Sequence, residues 1–363
     1  MNKRCAGNSG QRGVTLVELM VAMVLGLIVL GAVTTVFLSN SRTYAATESL
    51  GRFQENARVA FELMARDIRE AAGNPCSRNL PVYNVLNAPG SVWYTEFTAG
   101  VRGYAGGMAF PDAAFGTGAG QRIAGTDAVE LKSAVAEGVA IVRHNPSSAQ
   151  FKLSTASHGL SDGDLALACD FGQAAVFQVT NAQPGINDTV VHNKGVGTPG
   201  NCSKGLGWGA TRNCSTNGNS YAFGCYMGKW EAGDCADENP KDGAPDRWPA
   251  TIARLRMSRW YIGVNARGGR SLYRSSLRNT GGVPGVQRDE ITEGVRDMEL
   301  TYLVAGATQY VDAASVAAGD WTSNNVIAMR IDLTLIGNEP LGTDGSPLQR
   351  RLIHVVTIRN RNR

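Results

Sequence analysis

One carboxylate stands alone in a long apolar run. From Val14 to Leu38 the only charged side chain is Glu18, and the segment holds no proline. As a helix rising about 1.5 Å per residue, the run exceeds the roughly 30 Å hydrocarbon core of a bilayer. A carboxylate at the centre of such a helix opposes insertion by about 2.5–3.5 kcal/mol, and by less near the interface. An acid kept there at that cost points to a partner, and the chemistry it suggests is ion pairing in a medium without water.

The cysteines are the second chemical set. Cys5 precedes the apolar run; Cys76, Cys169, Cys202, Cys214, Cys225 and Cys235 follow it. With Lys3, Arg4 and Arg12 ahead of the run, the positive-inside rule puts the N-terminus in the cytoplasm and the six later cysteines in an oxidising compartment. An even number there reads as disulfides, with about 15 possible pairings for six. Zinc is the competing use of Cys202, Cys214, Cys225 and Cys235, but no close C-x-x-C pair occurs. Asp234, Asp237, Glu238, Asp242 and Asp246 offer oxygens to calcium without EF-hand spacing, which favours a solvated acidic loop.

Other catalytic patterns are missing. His144, His158, His192 and His354 are scattered, and there is no nucleophile elbow, P-loop or dinucleotide fingerprint. Neither a metal nor a cofactor is expected. Nor does charge point to nucleic acid as a direct ligand. Without Lys3, Arg4 and Arg12, 32 basic groups face 31 acidic ones.

The elements that must hold these residues are of two kinds. Leu50, Phe53, Ala57, Phe61, Met64, Ile68 and Ala71 recur at helical spacing after the apolar run, with Arg52, Glu55, Arg58, Glu62, Arg66, Asp67 and Glu70 on other faces. Glu62 with Arg66, and Arg66 with Glu70, are four apart and suited to surface pairs. Gly73-Asn74-Pro75 ends the pattern, giving one helix of roughly 60 residues. Strand-like segments follow at 128–131, 139–143, 164–169, 174–180, 252–264, 271–275, 297–304, 326–336 and 352–358, with a hairpin at Asn265–Arg270. No strong helix separates the late strands, so antiparallel sheet is expected and the class is α+β. Residues 195–247 shift to Gly, Asn, Ser and Asp, as a loop-rich insertion held by disulfides.

Three readings compete for the N-terminus. A cleaved secretory signal peptide has an apolar stretch of about 7–15 residues, shorter than this one. A plain signal anchor with a snorkelling Glu18 fits the length but leaves Gly-Val-Thr-Leu-Val-Glu-Leu unexplained. The third covers both: Gly13-Val14-Thr15-Leu16-Val17-Glu18-Leu19 resembles the class III signal of type IV prepilins. It departs in having Val14 where phenylalanine is usual, and Thr35 where many major pilins carry proline. The resemblance implies cleavage between Gly13 and Val14 by prepilin peptidase, methylation of the Val14 amine, and a role for Glu18 in assembly and register. Gly26 and Gly31 then permit bending or close helix contact.

Chain size and the stretches GDLALACDFGQAAVFQVTNA, ITEGVRDMELTYLV and RRLIHVVTIRN resemble the PilW family of minor pilins. That resemblance implies a pilin-like fold, with a leader at 1–13, a membrane or filament-core helix at 14–38, its amphipathic half at 39–73 and a periplasmic domain at 74–363. It further implies a non-enzymatic subunit stored in the bacterial inner membrane and delivered to the pilus at the cell surface. There it would prime or cap pili that serve twitching motility, adhesion or DNA uptake. Implied partners are other minor pilins, the major pilin, a tip adhesin and the inner-membrane assembly platform. The J-class minor pseudopilins of type II secretion share leader, helix and sheet and are the nearest alternative. A membrane-anchored periplasmic enzyme is the alternative from another class.

Overall fold

A computed structural model describes residues 13–77, 80–135, 138–207, 212, 214, 221–224, 249–337, 340 and 344–359. The apolar run and the amphipathic stretch form one helix, α1 (Leu16–Glu70). The chain divides into two compact units, Met1–Gln54 with Gly337–Leu348, and Glu55–Ile336 with Gln349–Arg363. In the first unit, Ser49 and Phe53 of the helix are buried. A Cβ on Gly337 would lie 3.3 Å from the Phe53 ring and 3.4 Å from Ser49 Oγ, so glycine gives the helix close access to this segment.

The second unit is mostly antiparallel sheet. Its strands in chain order begin with β1 (Val82–Asn84), β2 (Val101–Tyr104), β3 (Ala128–Val135), β4 (Ile141–Asn145), β5 (Gln150–Leu153), β6 (Leu165–Cys169), β7 (Ala174–Gln178), β8 (Asn181–Ala182) and β9 (Thr189–Val191). They continue with β10 (Thr251–Val264), β11 (Arg270–Thr280), β12 (Val283–Glu293), β13 (Val295–Val304), β14 (Val311–Asp312), β15 (Val326–Ile336) and β16 (Gln349–Thr357). The largest sheet runs β1-β7-β6-β10-β11-β12, with β3 also on β10 and β2 on β3; two four-stranded sheets run β14-β13-β15-β16 and β4-β5-β9-β8. The one parallel pairing among the described strands, β1 with β7, departs from the antiparallel expectation.

β10 organises the largest sheet. Residues 254–261 pair with β3, 251–254 with β6 and 258–264 with β11. Since β3 overlaps each of the others in register, β6 and β11 share the opposite flank. The turn between Val264 and Arg270 closes the hairpin expected there, with Asn265 Oδ1 accepting the N–H groups of Arg267 and Gly269. The strand β12 escapes sequence reading because it is an outer strand. Pro284 and Gly285 and a mostly exposed pattern erase the alternation, and proline is tolerated at an edge.

The turns of α1 within this unit bury Ala57, Ala60, Met64, Ala65 and Ile68. Their helical spacing matches the expected stripe, except that Phe61 is only half-buried. Two expectations need correction. Glu62 pairs with Arg58, at 2.9 Å, and Arg66 with Glu70, at 3.3 Å, leaving no Glu62–Arg66 pair. The helix also stops earlier than Gly73, because Ala72 is the left-handed residue, φ 56, and donates its N–H to Lys132 O at 2.7 Å. This contact with β3 demands glycine across from it, since a Cβ on Gly100 would lie 2.4 Å from Ala72 Cα.

A disulfide between Cys76 and Cys169 ties the segment after α1 to the end of β6 across 93 residues. Closing so long a loop restricts the unfolded chain, and losing a native bridge from a secreted domain costs about 2–5 kcal/mol. Cys76→Ala/Cys169→Ala should therefore lower the urea midpoint of the full chain in detergent, with a steeper slope because the freed unfolded chain exposes more surface. An unchanged midpoint would show that packing alone fixes this junction.

Candidate functional site

Glu18 sits in the first turn of α1. Thr15 Oγ1 accepts the Glu18 N–H at 3.2 Å, and Thr15 O accepts the first helical N–H, from Leu19, at 3.1 Å. Thr15 is thus an N-cap with Glu18 at the third helical position, the Thr-x-x-Glu pattern of a capping box, and the carboxylate lies at the positive end of the helix dipole. That local role was legible in the sequence from the spacing alone. It accounts for one N–H, and among the described residues the carboxylate has no hydrogen-bond or ion-pair partner.

Gly13 and Val14 lie just ahead of the helix. A Cβ on Gly13 would meet nothing within 4 Å, and the same holds for Gly26 and Gly31. Among the described residues no close approach explains the three glycines. Along 14–38 every large apolar side chain is exposed, between 52% and 76%. The helix has a mean hydropathy of 2.6 in its most apolar window and is long enough to cross a membrane. Hydroxyls in this stretch are internally satisfied, as Thr35 Oγ1 donates to Ala32 O at 2.8 Å.

The second unit holds a constellation that sequence periodicity missed. Asp67, expected on the solvent face of α1, turns to the sheet. Its carboxylate accepts Ser258 Oγ–H, the Trp260 indole N–H and an Arg274 N–H, each at 2.9 Å. These partners lie on β10 and β11, and Ser258 and Trp260 stand two residues apart on one strand face. Charge-assisted bonds of this kind fix the helix on the sheet more specifically than apolar contact does.

A buried charged set lies nearby. Glu130 pairs with Lys132 at 2.7 Å and with Arg259 at 2.8 Å, and Arg259 reaches Asp112 at 2.7 Å. The Arg259 guanidinium also lies over the Phe110 and Trp93 rings, 4.2 and 4.7 Å from their centroids. Arg122 donates to four backbone carbonyls, of Tyr104, Ala105, Met108 and Thr126. Burial lowers it to about 10, while burial and then Glu130 push Tyr104 up to about 12. Two cations and two carboxylates neutralise one another with their donors satisfied, which is how a buried structural network is built.

The histidines expected to be scattered are partly gathered. His144 Nε2 and His192 Nε2 are 3.1 Å apart in the interior, and His144 stacks on Phe151 at 4.1 Å. His144 Nδ1 accepts the Phe223 N–H at 3.2 Å, which in the neutral ring leaves the proton on Nε2 for His192. His158 and His354 lie apart, the latter against the Phe61 ring. Among the described residues no group of three or more His, Cys, Asp or Glu is placed to hold a metal.

Of the six later cysteines, Cys202 pairs with Cys214 in addition to the Cys76–Cys169 bridge. Cys225 and Cys235 lie outside the described residues, as does the acidic stretch 234–246. The described part of the 195–247 insertion has no strand or helix of its own. Asn201 locks it to β7 through two bonds with the Gln178 backbone, at 2.7 and 2.8 Å.

Comparison with known families gives two matches. Residues 8–34 match the prokaryotic N-terminal methylation motif, and residues 259–356 match type IV pilus-assembly protein W. The first contains Gly13, Val14 and Glu18; the second begins near the end of β10 and takes in β11 to β15 and nearly all of β16. No curated protein and no solved structure matches the chain.

The histidine pair yields a pH prediction. Burial holds both rings below the ordinary value of 6.5, with His192 at about 3. The folded state therefore binds fewer protons than the unfolded one below that value. Their contribution is fully present above about pH 6.5 and declines as pH falls toward 3, by up to about 1.4 kcal/mol per unit for each ring. In an NMR titration of histidine-labelled protein, the ring signals of His144 and His192 should stay neutral at pH 5. Four signals titrating together near 6.5 would contradict the buried pair.

Proposed function

Both matches support a type IV pilus minor pilin of the PilW family, and from that premise we propose a priming or tip subunit of the pilus. The family points to a structural role and to contact with other pilus components. The observation that carries the finer reading is the uncovered helix, with Glu18 as its only charge from Val14 to Leu38. Residues 1–13 are the leader, cut between Gly13 and Val14 by prepilin peptidase, which also methylates the Val14 amine. Gly13 is small for the peptidase rather than for this fold, as the empty space around its Cβ position supports.

Residues 14–38 hold the subunit in the inner membrane, N-terminus in the cytoplasm and residues 74–363 in the periplasm. The same segment then enters a bundle of like helices from other minor pilins and the major pilin, beside the assembly platform. The assembled tip, with any adhesin it bears, serves twitching motility, adhesion or DNA uptake. In the bundle an amine and a carboxylate are each costly alone. Paired, Val14 and Glu18 neutralise each other, and the need to pair sets axial register.

Removing one member of a buried pair costs about 3–5 kcal/mol, a hundredfold or more in an association constant. Glu18→Ala should insert and be processed normally, yet fail to restore pilus number in a strain lacking the gene. Glu18→Gln should fail nearly as badly, because it keeps shape and loses charge. Normal piliation with both, at matched protein levels, would remove the assembly role.

A further inference from the structure

The Cys202–Cys214 bridge differs from Cys76–Cys169 in what surrounds its sulfurs. The Arg212 guanidinium donates to Cys202 Sγ at 3.2 Å and to Leu86 O at 2.6 Å, so a cation rests on one sulfur of the bridge. Lys194 Nζ donates to the Cys214 carbonyl at 2.8 Å, which keeps a second positive charge beside the other cysteine. Cys169, by contrast, is fully buried in an apolar cluster with Leu165, Leu167, Val176 and Trp93. Among the described residues no cation touches either sulfur of that bridge.

The two ends of the bridge are also unequal. Cys202 is buried, its N–H donates to Val85 O at 2.8 Å, and the preceding Asn201 is locked to Gln178. Cys214 lies 12 residues on and is only partly buried. A disulfide opens when a thiolate attacks one sulfur and expels the other, and the sulfur whose thiolate is better stabilised leaves more readily. Contact with a cation lowers a thiol's pKa, whereas apolar surroundings raise it. Access therefore favours attack on Cys214, and Arg212 favours departure of Cys202. Both features select the same direction of opening. In the other bridge the buried sulfur, Cys169, has only apolar surroundings and is the poorer leaving group.

We propose that Cys202–Cys214 is a thiol-exchange site, at which an incoming thiolate becomes attached to Cys214. The thiolate sulfur bonds to Cys214 Sγ as the S–S bond breaks, and the electron pair leaves on Cys202 Sγ beside Arg212. One thiolate is consumed and one is formed, so the step needs neither an oxidant nor a reductant. Its products are a mixed disulfide on Cys214 and a thiolate held at Cys202, and attack by that thiolate reverses it. The bridge is thus a reversible covalent attachment point for the cysteine of a small thiol or of another polypeptide. Cys76–Cys169 meanwhile keeps the junction after α1 closed. The inference rests on the chemistry around this bridge and not on the minor-pilin reading.

The test exposes the full chain in detergent to reduced glutathione, quenches with acid, alkylates free thiols and maps the products by peptide mass spectrometry. Cys202–Cys214 should open before Cys76–Cys169, with glutathione on Cys214 and the alkyl group on Cys202. Arg212→Gln should slow the opening at least about threefold, because the leaving thiolate loses its counter-charge. Arg212→Lys should restore most of the rate. If Arg212 served only to hold the loop on Leu86, its loss would loosen the bridge and speed the opening instead. A second measurement removes the bridge: in Cys214→Ala, iodoacetamide labelling of Cys202 should rise at lower pH than in Cys214→Ala/Arg212→Gln. A short peptide with one cysteine, used in place of glutathione, separates the two sources. An equal yield on Cys214 assigns polypeptide thiols as well, and a yield from glutathione alone restricts the site to small ones. First opening at Cys76–Cys169, an adduct on Cys202, or unchanged or faster opening in Arg212→Gln would overturn the proposal. Piliation does not enter, so failure here and failure of the Glu18 assembly role are separately visible.

Discussion

The constraint on which this protein depends is that it makes an apolar helix it does not cover. Every large apolar side chain from Val14 to Leu38 is exposed, and a Cβ added at Gly13, Gly26 or Gly31 would touch nothing. Exposed apolar area on this scale has no stable resting place in water, because burial is worth about 25 cal/mol per Å². A hydrocarbon environment suits it, in keeping with a membrane anchor. In the helix bundle proposed above, Glu18 would make the environment selective. A bilayer tolerates the carboxylate at best, whereas a helix bundle containing an amine gives it a counter-charge. On that proposal the segment has a preferred environment in the bundle.

The rest of the molecule makes such a helix presentable. Its later turns pack as an ordinary amphipathic helix with Met64 and Ile68 in the core, and Asp67 fixes them on Ser258, Trp260 and Arg274. The Ala72–Lys132 bond and the Cys76–Cys169 bridge then tie the end of the helix to β3 and β6.

How much of this was legible depends on range. The apolar run, Glu18 and the late strands follow local patterns, and 326–336 is bounded in the structure as the alternation of Met329–Leu335 implies. The pattern Thr15-x-x-Glu18 was equally local, a capping signal hidden by the stronger apolar one. Asp67 was not legible. On a helical wheel its charge assigns it to solvent, and what reverses that is Arg274, 207 residues away in sequence. The strand β12 failed for another reason, since an edge strand with Pro284 has no buried alternation to display. Cysteine pairing is a matter of tertiary proximity, so the six residues implied a redox state and no partner; the two bridges described are Cys76–Cys169 and Cys202–Cys214. Clustering of His144 with His192 is likewise invisible to a reading that looks for metal spacing along the chain.

The claim at the centre of this account is that the apolar helix is released from a leader and presents a new, methylated amine beside Glu18. The intact mass of the full-length gene product, extracted from the membrane of cells that assemble pili, tests it most directly. The account predicts a chain that begins at Val14 and carries one added methyl group. A mature chain that still contains Met1 or Cys5 would contradict it, for then no amine exists at Val14 and Glu18 has lost the partner proposed for it.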